Sequence, residues 1–253
     1  MHEYVKNGEE SGGSRSHRES GTALKVRVRK VTWQAPGRWL VGGFRDIPAS
    51  GYRSLFYGMC FVLMGLGIDS AHVENPAVAL GLSAAFLFTG PFLSMGIYEL
   101  SRQLQAGERP DLLLSLFSWC RNPAAAGRFA FFLSVVMVLW LGLSSTLLEA
   151  AGDGPDLLFA LALLVWALLA LSVLMASAVA IPMLLDQTVS ALEAVRSSVA
   201  CFMRNKLVLS FWFLIVALAV ILSLSLQYWP LLLLGPWLGH ATWHSYEECL
   251  DRT

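Results

Sequence analysis

His240-Ala241-Thr242-Trp243-His244 sets two imidazoles four residues apart, so on a helix both lie on one face within reach of a single metal ion. A zinc peptidase helix needs its general-base Glu directly after the first histidine. Ala241 stands there instead, so the pair is not that motif. Haem is disfavoured as well, because two histidines on one helix face cannot clamp opposite faces of one haem. The remaining histidines, His2, His17 and His72, lie in a tail or a short loop. A metal would need a third ligand from elsewhere. Glu99 and Asp186 are the candidates, each ending an apolar run at a position comparable with His244. If those runs converge, Glu99, Asp186, His240 and His244 form a polar cluster near one membrane interface. Ionisable groups at that depth are a functional hypothesis by default, for proton, ion or metal handling. The simpler reading is that they cap helix ends, pair with one another and lock the bundle. No catalytic residue, metal-ligand set or cofactor is assigned. There is no Gly-Lys-Ser/Thr phosphate loop and no Gly-x-Ser-x-Gly elbow.

The elements that must position these residues are greasy ones. Of 253 residues, 56% are hydrophobic and only 14% charged, with a mean hydropathy of +0.58. Soluble domains carry roughly 25% charged residues. A membrane helix needs about 20 mostly apolar residues, and six runs qualify: about 52–68, 76–98, 129–148, 157–185, 207–226 and 229–246. Their hydrophobic centres contain no Asp, Glu, Lys or Arg, which leaves no buried charge for ion coupling or voltage sensing. The expected fold is all-α: a polytopic membrane bundle of about six transmembrane helices.

Basic residues set its orientation, because Lys and Arg accumulate in cytoplasmic loops. All 18 fall before or at the very start of the first run (Arg53), between the second and third, between the fourth and fifth, or in the tail. The opposite loops hold Asp69, Glu74, Glu149, Asp153 and Asp156 and no basic residue. Both termini are therefore expected in the cytoplasm. The net charge of zero is a sum over two unlike surfaces, and it argues against nucleic-acid binding. The outer loops are too short for a folded lobe, and Tyr228 and Trp229 sit where aromatic belt residues anchor helices. Residues 1–34 read as a basic, largely disordered cytoplasmic tail, and 35–253 as the membrane-embedded domain. No cleaved signal peptide is expected. Lys25 to Val31 is suited to touching anionic lipid head groups.

Self-similarity runs through the chain. Gly90-Pro91 and Gly235-Pro236 occur in the same register of the second and sixth runs, with a weaker echo at Ile181-Pro182. Arg45-Asp46, Arg121-Asn122 and Arg204-Asn205 each precede an outward run. The pattern suggests three copies of one unit: an interfacial segment, an outward helix and a returning helix. Val189, Leu192, Val195, Val199 and Phe202 recur at helical spacing over 187–204, and 111–120 is a shorter version. Both are expected as amphipathic helices on the cytoplasmic face. The prolines should kink the returning helices. Such kinks frame substrate paths in transporters and are also tolerated in ordinary membrane helices. Gly81 to Ala85 and Ala176 to Ala178 suit close helix packing. Cys60, Cys120, Cys201 and Cys249 form no Cys-x-x-Cys pair and are expected to act as small hydrophobes.

Arg38-Trp39-Leu40, Gly43-Phe44-Arg45-Asp46, Gly90-Pro91, Tyr98 to Arg102, Gly107 to Pro110 and above all Gly239-His240-Ala241-Thr242-Trp243-His244-Ser245-Tyr246 resemble a bacterial family of predicted integral membrane proteins of unknown function. The resemblance spans about 36–248. It implies a multi-pass bacterial inner-membrane protein of about six helices and brings no ligand or catalytic residue. The expected role is a non-enzymatic structural, accessory or lipid-interacting component, with the lipid bilayer as its partner. A small transporter or channel is the second reading, and a metal-binding protein or enzyme using His240/His244 the third.

Overall fold

A computed structural model describes residues 27–151 and 156–251. The tail before 27, residues 152–155, and Arg252 and Thr253 lie outside the described residues, as do the side chains of the small-residue patch at Gly81, Ser83 and Ala84. A two-residue strand β1 (Arg27–Val28) leads into α1 (Ala35–Ala49), α2 (Leu55–Glu74) and α3 (Pro76–Gln105). Next come α4 (Leu112–Leu116), a 3-10 turn at Ser118–Arg121, α5 (Pro123–Ala151) and α6 (Asp156–Ser177). The chain ends with α7 (Ala180–Asp186), α8 (Ala191–Arg204), α9 (Lys206–Ser225), α10 (Leu231–Cys249) and strand β2 (Leu250–Asp251). Long helices thus occupy each of the six apolar runs. Among the described residues, Lys206–Ser225 is the helix long and apolar enough to cross a membrane, and Leu55–Ala71, Pro123–Val136 and Leu171–Asp186 are shorter apolar stretches.

The fourth run departs from the single span expected over 157–185. Helix α6 stops at Ser177 and α7 begins at Ala180. Pro182 has no N–H to give the carbonyl four residues back, at Ala178, so the helix opens there. Ser198 of α8 fills the opening: its hydroxyl accepts from the Val179 N–H at 3.1 Å and donates to the Met175 carbonyl at 2.7 Å. The other two returning helices, α3 and α10, continue through Pro91 and Pro236. Pro236 frees the Leu232 carbonyl, and Gly58 of α2 lies directly against that oxygen, where a side chain would not fit. Gly43 of α1 plays the same part against the Trp237 carbonyl and the Ala241 amide, 2.7 and 2.6 Å from where its Cβ would be.

Short helical segments form at all three places where interfacial ones are expected. Helix α1 is the first, and it packs along α10. The second splits into α4, whose Asp111 side chain accepts from the Leu114 N–H at 3.1 Å, and the 3-10 turn. Leu113, Leu114 and Phe117 face outward there. The third, α8, starts at Ala191 rather than 187, because Ser190 and Glu193 form a reciprocal capping box. Its inward face is Ala194, Ser198, Cys201 and Phe202, while Leu192 is exposed. The expected apolar stripe is therefore shared between the bundle and its surroundings.

Residues 27–34, assigned from sequence to the tail, are held on the bundle. Strands β1 and β2 pair antiparallel, Arg27 opposite Asp251. The Val31 N–H donates to Asn205 Oδ1 at 2.9 Å, and Asn205 Nδ2 donates to the Arg29 carbonyl at 2.9 Å. The main core joins Trp39, Tyr98, Phe129, Met183, Cys201, Trp212, Trp243 and Tyr246, so it sits at the end of the bundle that carries the interfacial helices. Elsewhere the long helices present large apolar side chains outward, Phe131, Leu139, Leu164, Leu207, Leu218 and Ile221 among them. At the opposite end, Trp229 is exposed, whereas Tyr228, at φ 65°, lays its ring on Gly65.

Candidate functional site

Helix α10 presents His240 and His244 one turn apart to helices α1 and α3. The group that joins them is Asp46, near the end of α1. Its Oδ2 lies 3.1 Å from His244 Nε2 and 3.7 Å from His240 Nδ1. The Ser101 hydroxyl donates to the same Oδ2 at 2.8 Å and lies 2.6 Å from His240 Nδ1. A hydroxyl has one proton. With that proton on Asp46, Ser101 accepts from His240, whose own proton is therefore on Nδ1. This leaves Nε2 as a bare lone pair, and it is a buried side-chain atom with no hydrogen-bond partner. Ser101 and His240 are wholly buried, whereas His244 reaches the surface, its ring stacked on Gly42 of α1.

Glu99 belongs to a separate cluster. It is not a helix end, since α3 runs on to Gln105. Its carboxylate is 1% exposed and accepts from Arg102 Nε at 2.8 Å, Arg102 Nη2 at 2.9 Å, Gln103 Nε2 at 2.9 Å and Arg121 Nη2 at 2.9 Å. Burial alone would raise this carboxyl. The hydrogen bonds from Arg102 and Gln103 and the charges of Arg102 and Arg121 outweigh it and hold the carboxyl below its ordinary value. Arg102 is raised in turn, first by its bond to Glu99. Gln103 Oε1 accepts from the Asp111 N–H at 2.7 Å, so the cluster ties α3 to the second interfacial segment.

Asp186 takes a third position. Its Oδ2 accepts from the Tyr246 hydroxyl at 2.7 Å, and Gln187 Nε2 donates to the same hydroxyl at 3.0 Å. The four carboxylate and imidazole groups expected in one cluster thus fall into three neighbouring sets, with only His240 and His244 together. The reason is facial: Glu99 and Ser101 are two residues apart on α3 and point to opposite sides. Asp46 and Ser101 are not among the site residues expected from the sequence. A signal existed in the Arg45-Asp46, Arg121-Asn122 and Arg204-Asn205 echo. Each second residue does a comparable job, Asp46 to α3 and α10, Asn122 to the Val189 carbonyl at 3.2 Å, and Asn205 to residues 29–31.

Around this site the polar side chains are spent on one another. Trp39 Nε1 donates to Glu248 at 2.8 Å, Trp237 Nε1 to the Leu40 carbonyl at 2.7 Å and Trp243 Nε1 to Gln105 at 2.9 Å. Arg38 pairs with Glu248, and Gln105 with Glu247. Among the described residues no group of three or more His, Cys, Asp or Glu is placed to hold a metal. The cysteines are free; Cys201 and Cys249 are hydrogen-bonded to each other and buried. That contact and burial push the Cys249 thiol up, so it stays protonated and unreactive.

Fold and site together define a helical bundle with an apolar exterior and a polar lock at one end. Residues 78–157, from α3 through α5 to the start of α6, match the model of a family described as predicted integral membrane protein (DUF2189), a domain of unknown function. The match does not extend to the Gly239–Tyr246 run. No curated protein and no solved structure matches the chain.

Proposed function

We propose that the chain is a six-span bacterial inner-membrane protein with both termini in the cytoplasm, acting as a non-enzymatic, lipid-facing structural or accessory component. The observation that carries this reading is a contrast along the helices. At the basic end, buried polar groups bond to one another and bolt the helices together; along the helices, bulky apolar side chains face outward. A water-soluble protein rarely leaves apolar patches of that size bare, whereas hydrocarbon demands them. Reporter fusions after Asp69, Glu149 and Thr253 test the topology. The first two should report from outside and the last from the cytoplasm; an external signal from the last overturns the orientation.

A second reading, ion or metal handling that uses His240 and His244, draws on the bare Nε2 of His240, which points away from the Ser101 and Asp46 side of the ring. Metal content of the purified protein, beside His240→Ala and His244→Ala variants, tests it. Equal and negligible metal in all three removes the metal form of this reading.

A further inference from the structure

Two neighbouring cavities that share Phe132 set an unpaired charge beside an apolar track. Helix α5 and the first turns of α8 border an open groove of about 310 Å³, lined by Arg128, Phe132, Ala191, Leu192 and Val195 among others. Phe132 also opens a second cavity of about 230 Å³ between α5 and α6, lined by Val136, Leu139, Leu143 and Ser172. The Ser172 hydroxyl is spent on the Leu168 carbonyl at 2.8 Å, so the track is apolar to its end. Helix α5 rises roughly 22 Å from Arg128 to Leu143 at 1.5 Å per residue. One leaflet of bilayer hydrocarbon is about 15 Å deep. The track therefore spans a whole acyl chain.

Its mouth is charged. Arg128 is exposed, and among the described residues it has no ion pair or hydrogen bond. Arg196 lies one turn along α8 from Leu192. Glu193 is turned to its own helix end, accepting from the Ser190 N–H and hydroxyl at 2.9 and 2.8 Å. That capping box takes the Glu193 N–H and sets a carboxylate at the helix N-terminus, so a phosphate at the mouth is drawn to the guanidinium instead. An arginine meets a phosphate with two parallel N–H···O bonds. A zwitterionic head group would bring its own cation toward Arg128, and an anionic one would not.

We propose that this crevice binds one anionic phospholipid of the phosphatidylglycerol class, its phosphate on Arg128 and one acyl chain along Phe132, Val136, Leu139 and Leu143. The site rests on the membrane reading above. Native mass spectrometry of the full chain, stripped of lipid in detergent and then given dioleoyl-phosphatidylglycerol or dioleoyl-phosphatidylcholine, tests it. One phosphatidylglycerol should be retained at concentrations where phosphatidylcholine is not. Arg128→Gln should weaken retention about tenfold, one charge-assisted contact's worth, and Arg204→Gln should leave it unchanged. Val136→Trp should block the track; if that variant does not fold, the two arginine variants still decide. Equal retention of both lipids means annular lipid only and overturns the site, as does an equal loss in both arginine variants. A lipid-independent dimer abolished by Val136→Trp would give the crevice to a second copy of the chain and overturn it too. A chain that stays in carbonate-washed membranes yet holds no phosphatidylglycerol fails the crevice alone. Release by carbonate fails the membrane reading.

Discussion

Asp46 does the most with the fewest atoms: one carboxylate oxygen takes the Ser101 hydroxyl and faces both histidines of α10. Removing the Ser101 hydroxyl strands His240 Nδ1 in a buried site, so Ser101→Ala should cost about 1–3 kcal/mol, read as a fall in melting temperature in detergent. Glu99 carries a different dependence. Its carboxyl is lowered in the folded protein, so its stabilisation is complete above the ordinary value of 4.5 and is lost as pH falls through the depressed one. Melting temperature should therefore drop on acidification, and Glu99→Gln should flatten that drop. Glu99→Ala, which leaves Arg121 without its carboxylate and Arg102 with only Glu108 at 3.4 Å, should cost about 3 kcal/mol, the low end for a buried pair because Arg121 is half exposed. An unchanged acid profile in Glu99→Gln would assign the pH dependence to other carboxylates. Residue types at this scale were readable: Glu99, Asp186, His240 and His244 are all polar-network members. Their partners were not, because a partner depends on which helix face meets which neighbour.

At the scale of elements, two devices compensate for proline. Ser198 satisfies both backbone groups at the break between α6 and α7, and Gly58 makes room for the carbonyl that Pro236 frees. Ser198→Ala should destabilise by about 1–3 kcal/mol, while Ser198→Thr keeps the hydroxyl and should recover part of it. Gly43→Leu drives a side chain into the α10 backbone and should separate α1 from α10, seen as faster proteolysis near residues 49–53. Cleavage at the wild-type rate would mean that the close approach is not tight in solution. Helix positions and the short helical segments between them were legible because apolar runs and 3.6-residue periodicity are local properties. The break at Ala178 was half legible: Pro182 announces it, but only the neighbouring α8 decides whether a helix kinks or opens.

Across the whole molecule, burial orders the cysteines. Cys120 is exposed, whereas Cys201 and Cys249 are enclosed. A thiol reagent applied to folded protein should label Cys120 first and reach the other two only on unfolding; early labelling of Cys249 would mean that the β1–β2 pairing opens readily. By itself the chain determined its apolar runs, the sorting of all 18 basic residues to alternate connections, and hence a helical membrane bundle. Those follow from transfer free energies and charge counts that add residue by residue. Only the tertiary structure decided that Asp46 joins the histidines, that Glu99 turns away to Arg102 and Arg121, and that Arg29 and Val31 dock on Asn205. Each of these depends on the rotation and approach of packed helices, which no stretch of sequence encodes alone.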